Sequence, residues 1–321
     1  MRKVAVIMDP IENINALSDT SFALMLEAQA RDWEVYYLQT KDIWLQEGIV
    51  WGHLLQLKLN KHSEQYFEIL NDIIQPLTEM DCILVRKDPP FDSEYLYLTH
   101  LLEHVEVQDV LIINRPIALR NANEKLFTSW FPQCCPKTLV SSNHEVITEF
   151  VEHYETCVIK PLDGLGGRSI FKLEINDPNL NSIIESVTQR GTEHVMVQEF
   201  IPAIAEVGDK RIFLINGKAA PFALARIPAT DDFRGNLAAG GNGTVVELND
   251  RDYWIAEQIG ASLVEQGLYF VGIDVIGDYL TEINVTSPSL APEIEGPTGF
   301  NVCEKLFDFI EIELGAVGNR S

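Results

Sequence analysis

The sequence is poor in cysteine and contains no long apolar run. Its five cysteines are odd in number and lack metal-ligand spacing, which predicts reduced thiols in a cytoplasmic protein. No run of about 18 apolar residues occurs, so we expect no membrane span. The first apolar run ends at Asp9, which is too short for a signal peptide.

Basic residues are also scarce. The chain has 24 lysines and arginines against 48 aspartates and glutamates, which gives a net charge of -24. Such a field repels phosphate backbones, so we expect no nucleic-acid partner. ATP remains compatible, because a local group of basic side chains with Mg²⁺ reverses the potential at a site. A hydrophobic content of 46% in 321 residues indicates a folded chain of two domains, or of one domain with lobes.

Neither a Walker A motif nor a G-x-G-x-x-G fingerprint occurs, but residues 162–169 are rich in glycine. The segment follows an apolar strand that ends at Lys160, and residues 170–173 have the pattern of a returning strand. Gly164, Gly166 and Gly167 allow backbone amides to converge on an anion. The pattern predicts a strand, glycine loop and strand with Lys160 at its base, and the alternative is a flexible hairpin turn.

The N-terminal part opens with an apolar strand at 3–8, a helical stretch behind Ser18 or Asp19, and a second strand at 34–38. This order is typical of a doubly wound α/β sheet. A third strand, 82–85, runs into Arg86, and ligands bind at the carboxyl ends of such strands. Arg86 is therefore a candidate clamp for a carboxylate or phosphate, with a surface arginine as the alternative.

The apolar runs 269–276 and 279–285 flank a turn and predict a hairpin with three oxygen donors, Asp274, Glu282 and Asn284. Glu282 and Asn284 share a face, because side chains alternate along a strand. Carboxylate and amide oxygens suit Mg²⁺ shared with a phosphate. The alternative is a solvated acidic surface.

The length of the hairpin loop decides which face Asp274 occupies. A two-residue loop pairs Ile276 with Tyr279 and turns Asp274 away from Glu282, whereas a three-residue loop pairs Ile276 with Leu280 and brings the two carboxylates together. We predict the three-residue loop, because a metal site needs all its donors on one face.

The dipeptide Asn216-Gly217 predicts a tight hairpin turn. Counting back from this turn places Arg211 opposite Phe222 and puts Arg226 on the same face as Arg211. Two guanidinium groups on one face predict an anion between them, unless a local carboxylate such as Glu206 compensates them. The glycine-rich loop 227–243 that follows contains Arg234, and its length predicts a mobile lid, with disorder as the alternative.

The segment His100 to His104 matches the H-x-x-E-H pattern of inverted zinc proteases, with Glu103 between the histidines. Three letters in an amphipathic segment are a weak signal. We prefer an exposed helix with two histidines one turn apart.

The chain resembles the bacterial glutathione synthetase family of the ATP-grasp superfamily along almost its whole length. The matching stretches, in order, are 8–11, 86–92, 119–120, 123–127, 160–167, 208–211, 224–228, 234–241, 270–272 and 281–288. This resemblance implies an α/β ATP-grasp fold with an N-terminal doubly wound parallel sheet. It also implies a Rossmann-like domain at 1–122, a small lid subdomain at 123–200 and a catalytic subdomain at 201–321.

The same resemblance implies an ATP-dependent ligase that joins γ-glutamylcysteine to glycine and releases glutathione, ADP and phosphate through an acyl phosphate. It further implies Mg²⁺ or Mn²⁺, a cytoplasmic location and a homotetramer. Two other functions stay open at this point. One is another carboxylate-amine ligase of the same fold, and the other is a nucleotide-binding protein without turnover.

Residue roles follow from the resemblance. ATP would be bound by Lys125, Lys160, Gly164, Gly166, Gly167, Gln198, Glu199, Phe200, Ile201 and Asp209. Substrates would be bound by Arg86, Arg211, Arg226, Arg234 and Gly240. Arg226, Arg211 and Lys160 would be catalytic, and Asp274, Glu282 and Asn284 would hold the metal. The resemblance departs at Pro292, where a basic or polar residue is expected, and proline has no backbone N–H to donate to an anion.

Overall fold

The computed structural model describes residues 1–164, 166–229, 232–235 and 242–318. Three β-sheets organise these residues. The helices around them are α1 (Thr20–Ala30), α2 (Ser93–Glu106), α3 (Pro116–Asn121), α4 (His144–Tyr154), α5 (Leu180–Val187), α6 (Ile204–Val207), α7 (Asp250–Gln266), α8 (Ala291–Thr298) and α9 (Val302–Gly318). None of the described helices is long and apolar enough to cross a membrane.

The first sheet has a parallel core. Its strands are β1 (Lys3–Met8), β2 (Glu34–Leu38), β3 (Ile43–Gln46), β4 (Ile49–Leu59), β5 (Phe67–Pro76), β6 (Cys82–Arg86) and β7 (Leu111–Ile113). Strands β2, β1, β6 and β7 lie side by side in parallel, as the doubly wound pattern predicts. Strands β3, β4 and β5 extend the sheet in antiparallel fashion.

Both faces of this sheet are covered, which explains the continuous apolar run of β1. Ala5 and Ile7 pack into one core with α2, while Val4 and Val6 pack into another with α1 and α9. Asp19 caps α1 by accepting a hydrogen bond from the Phe22 backbone N at 2.7 Å, so one of the two predicted caps is confirmed.

The second sheet is small and antiparallel. It contains β8 (Thr138–Ser141), β9 (Thr156–Pro161), β10 (Phe171–Glu174) and β11 (Val195–Glu199), in the order β10-β9-β11-β8. Helices α4 and α5 supply its separate core. Strands β9 and β10 pair on either side of the glycine loop, with Phe171 opposite Ile159, so the predicted returning strand is confirmed.

The third sheet is antiparallel and has a buried central strand. It contains β12 (Asp209–Ile215), β13 (Lys218–Ile227), β14 (Asn242–Glu247), β15 (Phe270–Ile276) and β16 (Tyr279–Asn284), in the order β14-β13-β12-β15-β16. Every residue of β12 is buried, including the consecutive charged residues Asp209, Lys210 and Arg211. Buried charged groups need partners, so we expect ion pairs around these three side chains inside the fold.

The hairpin of β15 and β16 corrects one prediction. Ile276 pairs with Tyr279, so the loop has two residues and the predicted three-residue loop is wrong. Asp274 nevertheless lies opposite Glu282, because a β-bulge at Thr281 inserts one residue into β16 and reverses the face. The Thr281 hydroxyl donates a hydrogen bond to the Asp274 backbone O at 3.1 Å, which anchors the bulge.

The hairpin of β12 and β13 corrects a second register. Arg211 lies opposite Leu224, two positions from the predicted partner Phe222. The ladder is interrupted around Pro221, which has no N–H to donate to it. Because the register shifts by two residues, the face is unchanged, and Arg226 shares a face with Arg211 as predicted.

The stretch 121–126 has the pattern of a short helix, but in the structure α3 ends at Asn121 and a 3₁₀ helix begins only at Leu126. The Asn123 side-chain oxygen accepts hydrogen bonds from the backbone N atoms of Lys125 and Leu126, at 3.1 and 2.8 Å. This side-chain turn replaces a regular helical start.

Candidate active site

Two adjoining cavities lie where the three sheets meet. The glycine-loop cavity has a volume of about 110 Å³ and lies between the second and third sheets. Its wall includes Lys125, Lys160, Gly164, Gly166, Gly167, Arg168, Gln198, Glu199, Phe200, Ile201, Asp209, Arg234, Asp274 and Glu282. The arginine cavity has a volume of about 440 Å³ and lies between the first and third sheets. Its wall includes Arg86, Glu124, Arg211, Arg226 and Asn284, and both cavities share Gly166 and Glu282.

Two buried lysines converge at the glycine-loop cavity. Lys125 Nζ lies 2.9 Å from Glu282 Oε1 and donates to the Gly164 backbone O at 2.5 Å. Lys160 Nζ donates to the Thr281 backbone O at 3.2 Å. Strand β9 and the bulge of β16 therefore bring Lys160 beside the predicted metal donors, although more than 100 residues separate them in sequence.

Burial acts on the pKa values of both lysines. It lowers the pKa of Lys160 to about 8, although the charge of Glu282 opposes the shift. Burial would also lower the pKa of Lys125, but the ion pair with Glu282 outweighs it and leaves that pKa above its usual value. Two cations held beside the glycine loop form a preorganised anion site.

The arginine pair lies around buried carboxylates. Arg211 Nε donates to Asp274 Oδ1 at 2.6 Å, and Arg226 Nη2 lies 3.0 Å from Asp274 Oδ2. Arg226 Nη2 also donates to Asp209 Oδ2 at 2.6 Å. A protein carboxylate therefore compensates the two guanidinium groups, as in the alternative interpretation, but it is Asp274 and not the suggested Glu206.

The pKa values of the two aspartates shift in opposite directions. Burial would raise the pKa of Asp274, but Arg211 and Arg226 hold it well below its usual range. Burial raises the pKa of Asp209 to about 7 against the opposing charge of Arg226. Asp209 Oδ1 is buried and has no hydrogen-bond partner among the described residues. Because Asp209 lines the glycine-loop cavity, this oxygen is available to a ligand hydroxyl.

The donor chemistry of Asp274, Glu282 and Asn284 fits a hard divalent cation. The bulge puts Asp274 opposite Glu282, and Asn284 lies two residues further on the same strand. The Asn284 amide nitrogen donates to the Gly272 backbone O at 3.2 Å, which leaves its oxygen free to act as a ligand. Both carboxylates already have cationic partners, so a metal ion at this site competes with lysine and arginine side chains.

Among the described residues, no three His, Cys, Asp or Glu side chains are arranged so that they could hold a metal ion, so the amide of Asn284 would be the third donor. The histidines of the H-x-x-E-H segment, His100 and His104, both lie on helix α2. His100 is exposed, and Arg120 lies 3.2 Å from its Nδ1 and 3.0 Å from Glu103 Oε2. This helix is the exposed one that we preferred.

Arg86 ends strand β6 at the wall of the arginine cavity and is only 4% exposed, so the surface alternative is wrong. Its Nε donates to Ser21 Oγ at 3.0 Å and its Nη2 to the Pro288 backbone O at 2.8 Å. Its Nη1 is buried without a hydrogen-bond partner among the described residues. Burial lowers the pKa of this guanidinium. An unpartnered buried donor of this kind fits an anionic ligand.

The remaining predicted residues lie around the glycine-loop cavity. The Gln198 side chain donates to Thr138 Oγ1 at 3.0 Å, so its own amide is engaged within the sheet. Phe200 lies at the cavity wall, with Lys172 Nζ 4.9 Å from its ring centre. Arg234 pairs with Asp232 at 2.6 Å and donates to the Gly167 backbone O at 3.0 Å, which connects the 227–243 loop to the glycine loop. Gly240 lies outside the described residues.

Glu124 is a site residue to which the sequence assigned no role. Its Oε1 accepts hydrogen bonds from the backbone N atoms of Val285 and Thr286 and from the Thr286 hydroxyl, at 2.8, 3.0 and 2.8 Å. Burial and the nearby Glu282 raise its pKa. Its position directly before the buried Lys125 was the only sequence signal that could have found it.

Solved structures of ATP-grasp enzymes share this arrangement of sheets. An ATP-grasp ligase, PsnB, complexed with a minimal precursor, Mg and ADP, has a TM-score of 0.63 at 16% identity, covering 98% of both chains. D-cycloserine synthetase DcsG has a TM-score of 0.65 at 12% identity, covering 96% of this chain and 99% of its own. The fold is therefore that of the ATP-grasp ligases, as predicted.

Sequence comparison is more specific. The family model for the prokaryotic glutathione synthetase N-terminal domain matches residues 2–120, and the model for its ATP-grasp domain matches 124–299. The glutathione synthetase of Coxiella burnetii (strain RSA 493 / Nine Mile phase I) is 49% identical over 309 residues, which cover 96% of each chain. That of Pseudomonas aeruginosa is 46% identical over 314 residues, covering 98% of this chain and 99% of its own. The chain belongs to the prokaryotic glutathione synthetase family and is a ligase.

Proposed function

We propose that this protein condenses γ-glutamylcysteine with glycine to form glutathione, using ATP and passing through an acyl phosphate. The observation that carries the proposal is the junction of the two cavities. The cavity walled by Lys125, Lys160 and the glycine loop shares Gly166 and Glu282 with the cavity lined by three arginines. A carboxylate bound by the arginines would therefore meet the terminal phosphate of ATP.

The first step transfers the γ-phosphoryl group. A substrate carboxylate oxygen attacks the γ-phosphorus, a new P–O bond forms, and the bond to ADP breaks. Catalysis of this transfer is mostly positioning and neutralisation of charge. Lys160 and Lys125 hold the phosphates, and the amides of Gly164, Gly166 and Gly167 cover them.

The nucleoside part of ATP binds at the opposite end of the glycine-loop cavity. Glu199, Phe200 and Ile201 border the adenine, with backbone groups of Gln198 and its neighbours as hydrogen-bond partners. The unpartnered Asp209 Oδ1 accepts a hydrogen bond from the nucleoside. The engaged side chain of Gln198 supports backbone recognition at this position.

Arg86, Arg211 and Arg226 bind the substrate and the developing negative charge. Arg86 offers its free Nη1 to a substrate carboxylate, and Arg211 clamps a second one. Arg226 stabilises the transferring phosphoryl group and then the tetrahedral oxyanion. Arg234 and Gly240 bind substrate from the 227–243 loop, which excludes water from the acyl phosphate. The contact of Arg234 with Gly167 supports closure over the phosphates.

Asp274, Glu282 and Asn284 would hold Mg²⁺, or Mn²⁺ in its place. The bound ion supplies positive charge that neutralises the phosphates of ATP. The protein side chains that now pair with these carboxylates are themselves the proposed phosphate and substrate ligands. Binding of ATP with its metal therefore exchanges one set of ion pairs for another without leaving a buried charge unpaired.

Phosphate release with each substrate omitted in turn tests this function. We expect release only when ATP, γ-glutamylcysteine and glycine are all present, with stoichiometric glutathione. The Lys160→Met variant should lose this activity, whereas Lys305→Met, on the exposed face of α9, should keep it. Equal turnover with a donor that lacks the thiol, or with a different acceptor amine, would favour another carboxylate-amine ligase. ATP binding without any turnover would favour a nucleotide-binding protein.

The family resemblance supports three further proposals. The chain divides into a Rossmann-like domain at 1–122, a lid subdomain at 123–200 and a catalytic subdomain at 201–321. It assembles as a homotetramer and works in the cytoplasm. Light scattering coupled to size-exclusion chromatography measures the assembly, and a dimer or monomer would overturn that part.

A further inference from the structure

Glu124 is fixed in the site by one of its two carboxylate oxygens. Three donors from Val285 and Thr286, all within 3.0 Å, point at Oε1. The Glu124 backbone O accepts a further hydrogen bond from Ile283 N at 2.9 Å. These contacts tie Glu124 to the end of β16, the strand that carries Glu282 and Asn284, so its position relative to the reaction centre is set by the sheet.

The second oxygen, Oε2, has no hydrogen-bond partner among the described residues. Glu124 lines the arginine cavity and also a side cavity of about 110 Å³, whose wall includes Phe91, Arg120 and Leu162. The carboxylate therefore lies between the two cavities. A small molecule that moves from the side cavity into the arginine cavity would contact it.

Carboxylates on the third sheet are poorly suited to bind an incoming cationic group. Asp274 is paired with Arg211 and Arg226, Asp209 with Arg226, and Glu282 with Lys125. The three donors on Glu124 are neutral backbone and hydroxyl groups, so they orient its carboxylate without neutralising it by a cation.

We propose that Glu124 is a catalytic residue that binds the ammonium group of the acceptor amine and removes its proton. This inference rests on the proposed function. Glu124 Oε2 takes one proton from the acceptor –NH₃⁺, and the freed electron pair attacks the acyl carbon. A C–N bond forms, and the C–O bond to phosphate breaks with its electron pair on the phosphate. The phosphate takes the second proton of nitrogen, one hydrogen stays on the amide, and Glu124 later returns its proton to water.

The Glu124→Gln variant separates this role from a structural one. Glutamine keeps an oxygen that accepts the three hydrogen bonds to Oε1, but it has no basic oxygen for the ammonium group. Glutathione formation should fall by about 100-fold or more, as expected for loss of a general base. Hydroxylamine is mostly neutral at pH 7 and needs no base, so hydroxamate formation from ATP and γ-glutamylcysteine should stay within about threefold of wild type.

The matched control is Glu304→Gln, because among the described residues the Glu304 side chain pairs only with Lys305, and both side chains are exposed on helix α9, outside the cavities of the site. It should leave both reactions unchanged. An equal loss of glutathione and hydroxamate in Glu124→Gln would show a structural role, and an unchanged rate of glutathione formation would show that the phosphate itself is the base. Either result overturns the inference. Failure of the wild-type protein to form glutathione would instead overturn the proposed function.

Discussion

Lys160 allows a quantitative prediction. Burial leaves its amine partly deprotonated near pH 8, and bound ATP should favour the protonated form. The residue is 7% exposed, and among the described residues its ammonium group donates one hydrogen bond, to the Thr281 backbone O at 3.2 Å. Burial lowers its pKa to about 8. At pH 8 the unliganded protein therefore carries about half a proton at Nζ. The phosphates of ATP favour the charged form, so binding should return the pKa toward that of ordinary lysine.

The magnitude follows from these two states. The contribution of Lys160 to proton uptake on MgATP binding should be about 0.5 proton per site at pH 8 and only about 0.1 at pH 7. The apparent kcat/KM for ATP should fall about tenfold per pH unit above 8, because the cation is lost as the pH rises. The free energy of unfolding changes in the opposite direction and increases as the pH rises. The folded pKa lies below the value of 10.5 in the unfolded chain, so the cost of burying the cation, about 3 kcal/mol at neutral pH, is relieved between pH 8 and 10.5.

Isothermal titration calorimetry measures the proton uptake directly. MgATP is titrated at pH 8, without the other substrates, in two buffers of different ionisation enthalpy. The Lys160→Arg variant keeps a cation that does not titrate in this range, so the Lys160 contribution should vanish and the alkaline limb should move to higher pH. The Lys305→Met control should behave as wild type. Equal uptake in wild type and Lys160→Arg would refute the assignment of this proton to Lys160.

Three further predictions concern the third sheet. The Lys210→Met variant leaves the buried Asp252 without its ion-pair partner and should lose about 3 kcal/mol of unfolding free energy in urea; a loss below about 0.5 kcal/mol would contradict the pairing. The Glu282→Gln variant removes a proposed metal ligand and should raise the Mg²⁺ concentration for half-maximal activity about tenfold or more, and an unchanged metal titration would exclude Glu282 from the site. The Gly217→Ala variant places a methyl group 2.6 Å from the Gly260 backbone O at a φ of +73° and should cost about 2 kcal/mol of stability; an unchanged urea midpoint would contradict this close approach.

Local patterns predicted the residue pairs next to a hairpin turn better than the pairs further along its strands. Asn216-Gly217 correctly pairs Ile215 with Lys218, because turn chemistry acts on adjacent residues. The register beyond the first few pairs depends on bulges, which respond to packing of the whole sheet. At β12 the shift was two residues and left the face unchanged. At β15 the predicted loop was wrong, and the bulge at Thr281 restored the predicted face by another route.

The partners of the predicted cations were not accessible from the sequence. Asp274 was expected to hold a metal, and Arg226 an anionic ligand, yet each is the partner of the other at 3.0 Å. Burial of both groups in one sheet makes such pairing obligatory when no ligand is present. The single free oxygen of Glu124 and the unpartnered Nη1 of Arg86 likewise depend on contacts with residues more than 150 positions away.

Composition and spacing by themselves predicted the doubly wound N-terminal sheet, the glycine loop with its lysine, and the oxygen and guanidinium groups of the site, because these depend on residue type and local periodicity. The ATP-grasp fold was predicted from the family resemblance. The tertiary structure alone decided which of these groups meet, since sheet register and burial join distant segments. It set the pKa of Lys160, the ion pairs of Asp274, and the position of Glu124 between two cavities, because charge and desolvation act through space and not along the chain.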